Sequence, residues 1–266
     1  MTTGNKTPHP LMVVFYVLLI LGAVAVVVFF GYRLNHADQL RVRQANGYCP
    51  TGTRAQVREG IEIPGHTVIL VDTSNRISEE DGARAFARIE EWTRDTLRAP
   101  FLQKLSIYGL PESEHEAPRQ SGRSWCIPKQ GEMADVLYEN PRVVEIEFAT
   151  FLNRLRGVLD ELRDREEADV SPIVETMASL VERNEDIDSF LLVSDMLQNS
   201  SLWSEYSGET AVPLEGMGEC GRISGPGRVR DVFLFYIDRN IAVQSNDWPT
   251  DRWRTCLEGI RTRTIN

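Results

Sequence analysis

The chain has 266 residues, with 29 Lys and Arg against 39 Asp and Glu, a formal net charge of −10. That balance excludes a nucleic-acid binder, which needs a basic face to neutralise phosphates. The length suits an anchor plus one extramembrane domain, since a domain takes about 100–200 residues.

Residues 1–10 form a short polar tail, and Leu11–Tyr32 is an apolar run with no Lys, Arg, Asp or Glu between Lys6 and Arg33. At about 1.5 Å per residue, residues 11–32 span the roughly 30 Å hydrocarbon core of a bilayer as one transmembrane helix. Tyr16 and Tyr32 suit its two interfaces. The competing reading is a cleaved signal peptide. The run is too long for a typical h-region and no small-x-small cleavage site follows, so an uncleaved single-pass anchor is expected. Residues 33–62 read as a polar juxtamembrane linker, with Cys49-Pro50-Thr51-Gly52 as a turn.

Residues 63–266 read as one α/β domain. In Thr67–Ser78 the apolar run Val68–Val71 is followed at once by Asp72, Thr73, Ser74 and Asn75. A short apolar run that ends in polar groups predicts a buried parallel strand, with its carboxyl end at a ligand-binding edge. Ser78 as N-cap, with Asp81 three residues on, predicts a helix over Glu79–Leu97. Its apolar side is Ala85, Phe86, Ile89, Trp92 and Leu97, and Pro100 ends it. Lys104–Leu110 alternates as a second strand, and Arg123–Ile127 forms a short third strand in an antiparallel hairpin with it. Asn140 and Pro141, at N-cap and N1, open a long helix to Arg165 with Val144, Phe148, Phe151, Leu155, Val158 and Leu162 on one face. Ser171 and Pro172 open another helix in the same way, to about Glu182. Asp188–Ser194 is a second buried-strand pattern, again closed by a carboxylate, Asp195. Asn199–Gly225 is loop-rich, with a short helix near Leu202–Tyr206. Val229–Ile237 is a further apolar strand, and Trp248–Arg263 a closing helix. The alternation implies a doubly wound, mainly parallel sheet of about five strands with right-handed crossovers.

Arg33, Arg41 and Arg43 outnumber Lys6, which by itself puts the domain in the cytoplasm. The cysteines point the other way. Cys49, Cys126, Cys220 and Cys256 are dispersed beyond the membrane segment and form no C-x-x-C pair. An even, scattered set suggests two disulfides and an oxidising compartment, against the alternative of buried free thiols. The expected location is the cytoplasmic (inner) membrane, with the soluble domain on its outer or periplasmic side.

Two buried-type strands each ending in an aspartate, with a Ser-Pro helix start before the second, resemble a von Willebrand factor A-type domain. That family builds a metal-ion-dependent adhesion site from an Asp-x-Ser-x-Ser loop after the first strand, a Thr on a later loop and an Asp after the fourth strand. Asp72 and Ser74 match the first two positions, Ser171 stands for the Thr, and Asp195 in L-V-S-D matches the last. The third position of the loop is Arg76, not Ser. The resemblance implies Mg²⁺ held by Asp72, Ser74 and Asp195, but a guanidinium repels a dication and can pair with a carboxylate. The expectation is a degenerate site in which Arg76 substitutes for the cation, with no cofactor and with magnesium as the alternative. The sheet order of the family also implies the pairing Cys49–Cys126 and Cys220–Cys256.

The chain has no Gly-x-Ser-x-Gly elbow, P-loop or His-Glu-x-x-His, and its four histidines are scattered. His66 reads as a surface or turn residue, and Trp203, Trp248 and Trp253 as packing residues. The function expected is a membrane-anchored interaction module, not an enzyme. It belongs to an envelope or membrane assembly and meets the bilayer through residues 11–32 and a protein partner at Asp72, Ser74, Arg76, Ser171 and Asp195. The alternatives are a metal-assisted hydrolase using Asp72 and Asp195, or a purely structural domain.

Overall fold

The computed structural model describes residues 10–45, 65–137, 139–165, 168–183, 186–206, 218–225, 229–238 and 251–265. The chain divides into two units, Met1–Asn46 and Gly47–Asn266. In the first, helix α1 runs over Pro10–Ala45, and its stretch Val14–Tyr32 is long and apolar enough to cross a membrane. The helix continues through residues 33–45, where a linker was expected, because nothing there breaks the i→i−4 ladder. The remainder of the expected linker lies outside the described residues.

The second unit contains a six-stranded sheet in the order β3-β2-β1-β4-β5-β6. The strands are β1 (His66–Val71), β2 (Lys104–Gly109), β3 (Arg119–Cys126), β4 (Ile187–Ser194), β5 (Asp231–Tyr236) and β6 (Arg261–Thr264). All neighbouring pairs are parallel except β2 with β3, which form the expected antiparallel hairpin at one edge. Helices α2 (Glu79–Arg94), α3 (Pro141–Arg163), α4 (Ile173–Arg183), α5 (Gly218–Ser224) and α6 (Asp251–Cys256) complete the unit.

Side chains alternate across a strand, so one run of apolar residues serves two faces. Val68, Leu70, Phe190 and Leu192 join a core with Val174 and Met177 of α4, Ile223 of α5 and Trp253 of α6. Ile69, Val71, Leu191 and Val193 join another with Phe86 and Ile89 of α2 and Phe148 and Leu155 of α3. That is why β1 and β4 read as continuous hydrophobic runs.

Local signals set the helix starts. Ser78 Oγ accepts from the Asp81 N–H, and Asn140 Oδ1 accepts from the Arg142 N–H. Helix ends are less faithful to the sequence. α2 stops at Arg94, because Asp95 turns the chain and its Oδ1 accepts from the Leu97 N–H. Leu97, expected on the apolar side, is 93% exposed. The closing helix is only the short α6: Gly259, at φ +80, ends the turn after it, and Arg261–Thr264 pairs with β5 as a sixth strand. The helix expected near Leu202–Tyr206 is a pair of isolated bridges, Ser171 with Asn199 and Asn199 with Ser204, and the helix of that region is α5.

Cys220 of α5 is disulfide-bonded to Cys256 of α6, as the resemblance implied. Cys126 is also disulfide-bonded, and Cys49 lies outside the described residues.

Candidate functional site

β1 and β4 are adjacent, while the strands that follow them, β2 and β5, lie on opposite sides. The loops leaving β1 and β4 therefore diverge and open a crevice at the carboxyl edge, where α/β sheets bind ligands. Asp72 follows β1 at that edge. Its N–H donates to Val193 O (2.8 Å), a last rung between the strands, and its carboxylate is buried.

Serines from separate segments converge on that carboxylate. Asp72 Oδ1 accepts from the Ser74 N–H (3.0 Å) and from Ser74 Oγ (2.6 Å), an Asx-type turn that shapes the loop. Oδ2 accepts from Ser171 Oγ (3.2 Å) and from Ser194 Oγ (2.7 Å). Ser171 is itself fixed by a two-way backbone bridge with Asn199. Its hydroxyl is thus spent on Asp72, not on capping α4 as expected. Gln198 caps α4 instead. Its Oε1 accepts from the Val174 N–H (3.2 Å) while its Nε2 donates to Glu175 Oε2 and Ser200 Oγ. Burial pushes the Glu175 carboxyl up, and the bonds from Ser200 and Gln198 draw it back.

Asp195 is 2% exposed, and its Oδ1 accepts from the Leu197 N–H (3.0 Å). Between them Met196 adopts φ +58, a strained value for a non-glycine residue. Two bonds hold it there. Its N–H donates to Ser194 Oγ (2.8 Å), and its carbonyl accepts from Trp253 Nε1 (3.2 Å). Trp203 and Trp253 pack edge to face at 5.5 Å in the core, and Trp248 lies outside the described residues.

The structure thus gathers Asp72, Ser74 and Ser171 in one hydrogen-bonded group and adds Ser194, which sequence reasoning did not single out. Asp195 is anchored in the adjoining turn. Arg76 is exposed while Asp72 is buried, and the carboxylate takes its hydrogen bonds from serines. A polar pocket of about 310 Å³ opens beside the group, lined by Ser74, Asn75, Asp169, Ser171, Asn199 and Tyr206 among others. Among the described residues no cluster of three or more His, Cys, Asp or Glu could hold a metal ion.

A different polar cluster lies at the amino-terminal end of β1. His66 is buried, not at the surface as expected. Its Nε2 lies 2.9 Å from Ser106 Oγ and its Nδ1 lies 3.4 Å from Asp186 Oδ1. Burial above all, and then Lys104, lowers its pKa to about 4, against the pull of Asp186. The Asp186–His66–Ser106 line has the connectivity of a nucleophile triad. Ser106 is 1% exposed, however, so its hydroxyl is closed to a substrate.

No protein-family model matches the chain, and no curated protein matches it at a significant level. Among solved structures the human COPII-coat protein Sec24c aligns at TM-score 0.37 and 9% identity, over 77% of this chain and 30% of that one. Proximal thread matrix protein 1 from the mussel byssus aligns at 0.38 and 10%, over 76% and 44%. The PilB minor pilin from Streptococcus sanguinis aligns at 0.42 and 11%, over 77% and 57%. This chain spans less than two thirds of each of these neighbours, and the scores are too low to place it in a family.

Proposed function

We propose that the chain is a single-pass, membrane-anchored protein-interaction module, whose α/β domain is a doubly wound, von Willebrand A-like fold with a degenerate adhesion site facing a protein partner. The observation that carries this reading is the filled carboxylate of Asp72. A carboxylate offers about four lone-pair positions, and the Ser74 N–H and the hydroxyls of Ser74, Ser171 and Ser194 occupy four. Magnesium demands near-octahedral oxygen ligands at about 2.0–2.1 Å. It would have to displace one of these donors, and the third hydroxyl position holds the exposed Arg76. The donor set therefore does not fit a resident magnesium ion. The same filling counts against the hydrolase reading, because a general base needs an open lone pair within reach of substrate.

The strand order, with β3 as the antiparallel edge strand, supports the fold reading. The Cys220–Cys256 bridge supports an oxidising compartment, and so the outer face of a cytoplasmic membrane crossed by α1. The polar pocket supports a partner that hydrogen-bonds to hydroxyl and amide groups.

Affinity capture from solubilised membranes tests the function, comparing wild type with an Arg76→Glu/Tyr206→Ala variant. Both side chains are exposed, so the buried network stays intact. Loss of a partner in the variant is the expected result, and an unchanged partner set overturns the interaction reading in favour of a structural domain. Calorimetric titration with Mg²⁺ and Mn²⁺ tests the site. Micromolar binding abolished by Asp72→Ala would overturn its degeneracy.

A further inference from the structure

Away from the polar pocket, the domain has a second cavity, about 350 Å³, between the amino-terminal half of α2 and the carboxyl-terminal half of α3. α2 presents the small residues Gly82, Ala83 and Ala85 there, and the Arg163 side chain lies over Gly82, where an added Cβ would be 3.2 Å from Arg163 Cδ. Val71, Phe86, Ile89 and Val193 line it as buried apolar walls.

Two arginines also line the cavity, and they differ in what they hold. Arg163 donates to Asp160 (3.0 Å) and Asp164 (3.1 Å), and feels Glu79 as well. Its charge is answered within the protein. Arg156 places its guanidinium 4.0 Å from the centroid of the Phe86 ring and makes no ion pair or hydrogen bond among the described residues. A guanidinium carries five N–H donors in a rigid fork that matches a carboxylate. The cavity thus joins a fork with unspent donors to an aromatic and aliphatic wall, while its acids, Asp160 and Glu79, gather around Arg163.

We propose that this cavity binds a small amphiphilic monocarboxylate, an aryl or branched-alkyl acid. Its hydrocarbon part lies against Phe86 and Val193, and its carboxylate takes paired hydrogen bonds from Arg156. The volume is near the lower end for ligand pockets, roughly 300–1,000 Å³, which limits the ligand to a compact acid. Binding here does not depend on a partner at the Asp72 edge. The two regions nevertheless adjoin, since Val71 and Val193 immediately precede Asp72 and Ser194.

The test uses the full chain in lipid nanodiscs, with empty nanodiscs as background and saturation-transfer NMR as readout. The probes are 4-phenylbutyrate, its uncharged twin 4-phenylbutanol, and an acetylated peptide ending in a free leucine carboxylate. Phenylbutyrate is expected to bind saturably, and Arg156→Gln to weaken it about tenfold or more while leaving phenylbutanol unchanged. Gly82→Leu, which adds a side chain at the cavity wall and pushes Arg163 aside, is expected to abolish both. Tryptophan fluorescence melts confirm that each variant is folded. Equal phenylbutyrate binding in wild type and Arg156→Gln overturns the proposal, as does the absence of saturable binding. Tighter binding of the peptide than of phenylbutyrate overturns the small-acid assignment in favour of a protein carboxyl terminus.

Discussion

Ser194→Ala is expected to destabilise the domain more than any other serine-to-alanine change around Asp72. The hydroxyl of Ser194 does two things at once. It donates to the Asp72 carboxylate at 2.7 Å and accepts from the Met196 N–H at 2.8 Å. A hydrogen bond to a charged group is worth about 1.5–3 kcal/mol, and leaving a buried amide unpaired costs about 1–3 kcal/mol more. The sum is about 2.5–6 kcal/mol. Ser171→Ala removes only one side-chain bond, at 3.2 Å, and its backbone bridge to Asn199 survives. Its cost is about 1.5–2 kcal/mol, the low end of that range for a long bond. Urea unfolding followed by the fluorescence of the buried tryptophans, Trp92, Trp203 and Trp253, measures both. Equal costs for the two variants, or a Ser194→Ala cost near that of a surface substitution, would refute the view that this hydroxyl ties the site to the Met196 turn.

Acid is expected to weaken the fold through His66. Its folded pKa is about 4 against an ordinary 6.5, so the unfolded chain binds the proton first. Stability is complete above pH 6.5 and falls as the pH drops toward 4, by about 3 kcal/mol in all. Urea midpoints across that window, with His66→Gln as the flattened control, check it; the facing groups Lys104, Asp186, Asp188 and Ser106 remain in both. Replacing both Cys220 and Cys256 by serine opens a loop with a sequence separation of 36 and should cost about 4 kcal/mol, read as a drop in the unfolding midpoint. Leu97→Ser should stay within about 0.5 kcal/mol, whereas Ile89→Ala, in the core, should cost about 2–5 kcal/mol by the same assay.

What the sequence could show depended on how far apart the interacting residues are. Ser78 and Asn140 cap helices a few residues away, so the starts of α2 and α3 were legible. β1 and β4 are buried on both faces and announce themselves as apolar runs. Asp72 and Asp195 were visible because a polar residue ending such a run is conspicuous, and Ser74 and Ser171 because of the Asp-x-Ser pattern and the Ser-Pro helix start. Ser194 was not, because it reads as the last residue of the strand and its role depends on β1 lying alongside. Gln198 caps a helix that begins well before it in the chain, a relation no local pattern carries. His66 is buried by neighbours from β2 and the approach to β4, distant in sequence. β6 escaped because Arg-Thr-Arg-Thr at a sheet edge has one pairing partner and no apolar signature.

On the proposed reading, Arg76 in place of a hydroxyl is tolerable for a physical reason. In a site organised by a cation, the cation holds the loops together, and a lost ligand loosens them all. Here the loops are held by the protein itself: Ser74 and Ser194 bond to Asp72 from the β1 and β4 ends, Ser171 bonds from the entry to α4, and Asn199 locks Ser171. Arg76 is exposed and is not among the groups that bond to the Asp72 carboxylate. A partner then meets a preformed surface of Asn75, Asn199 and Tyr206, with Arg76 next to Asn75 in the chain and no metal left to bridge to an acidic side chain. Recognition at this edge would follow hydrogen bonding and the charge of Arg76, which is why the exposed Arg76→Glu/Tyr206→Ala pair, rather than the buried aspartates, separates binding from folding.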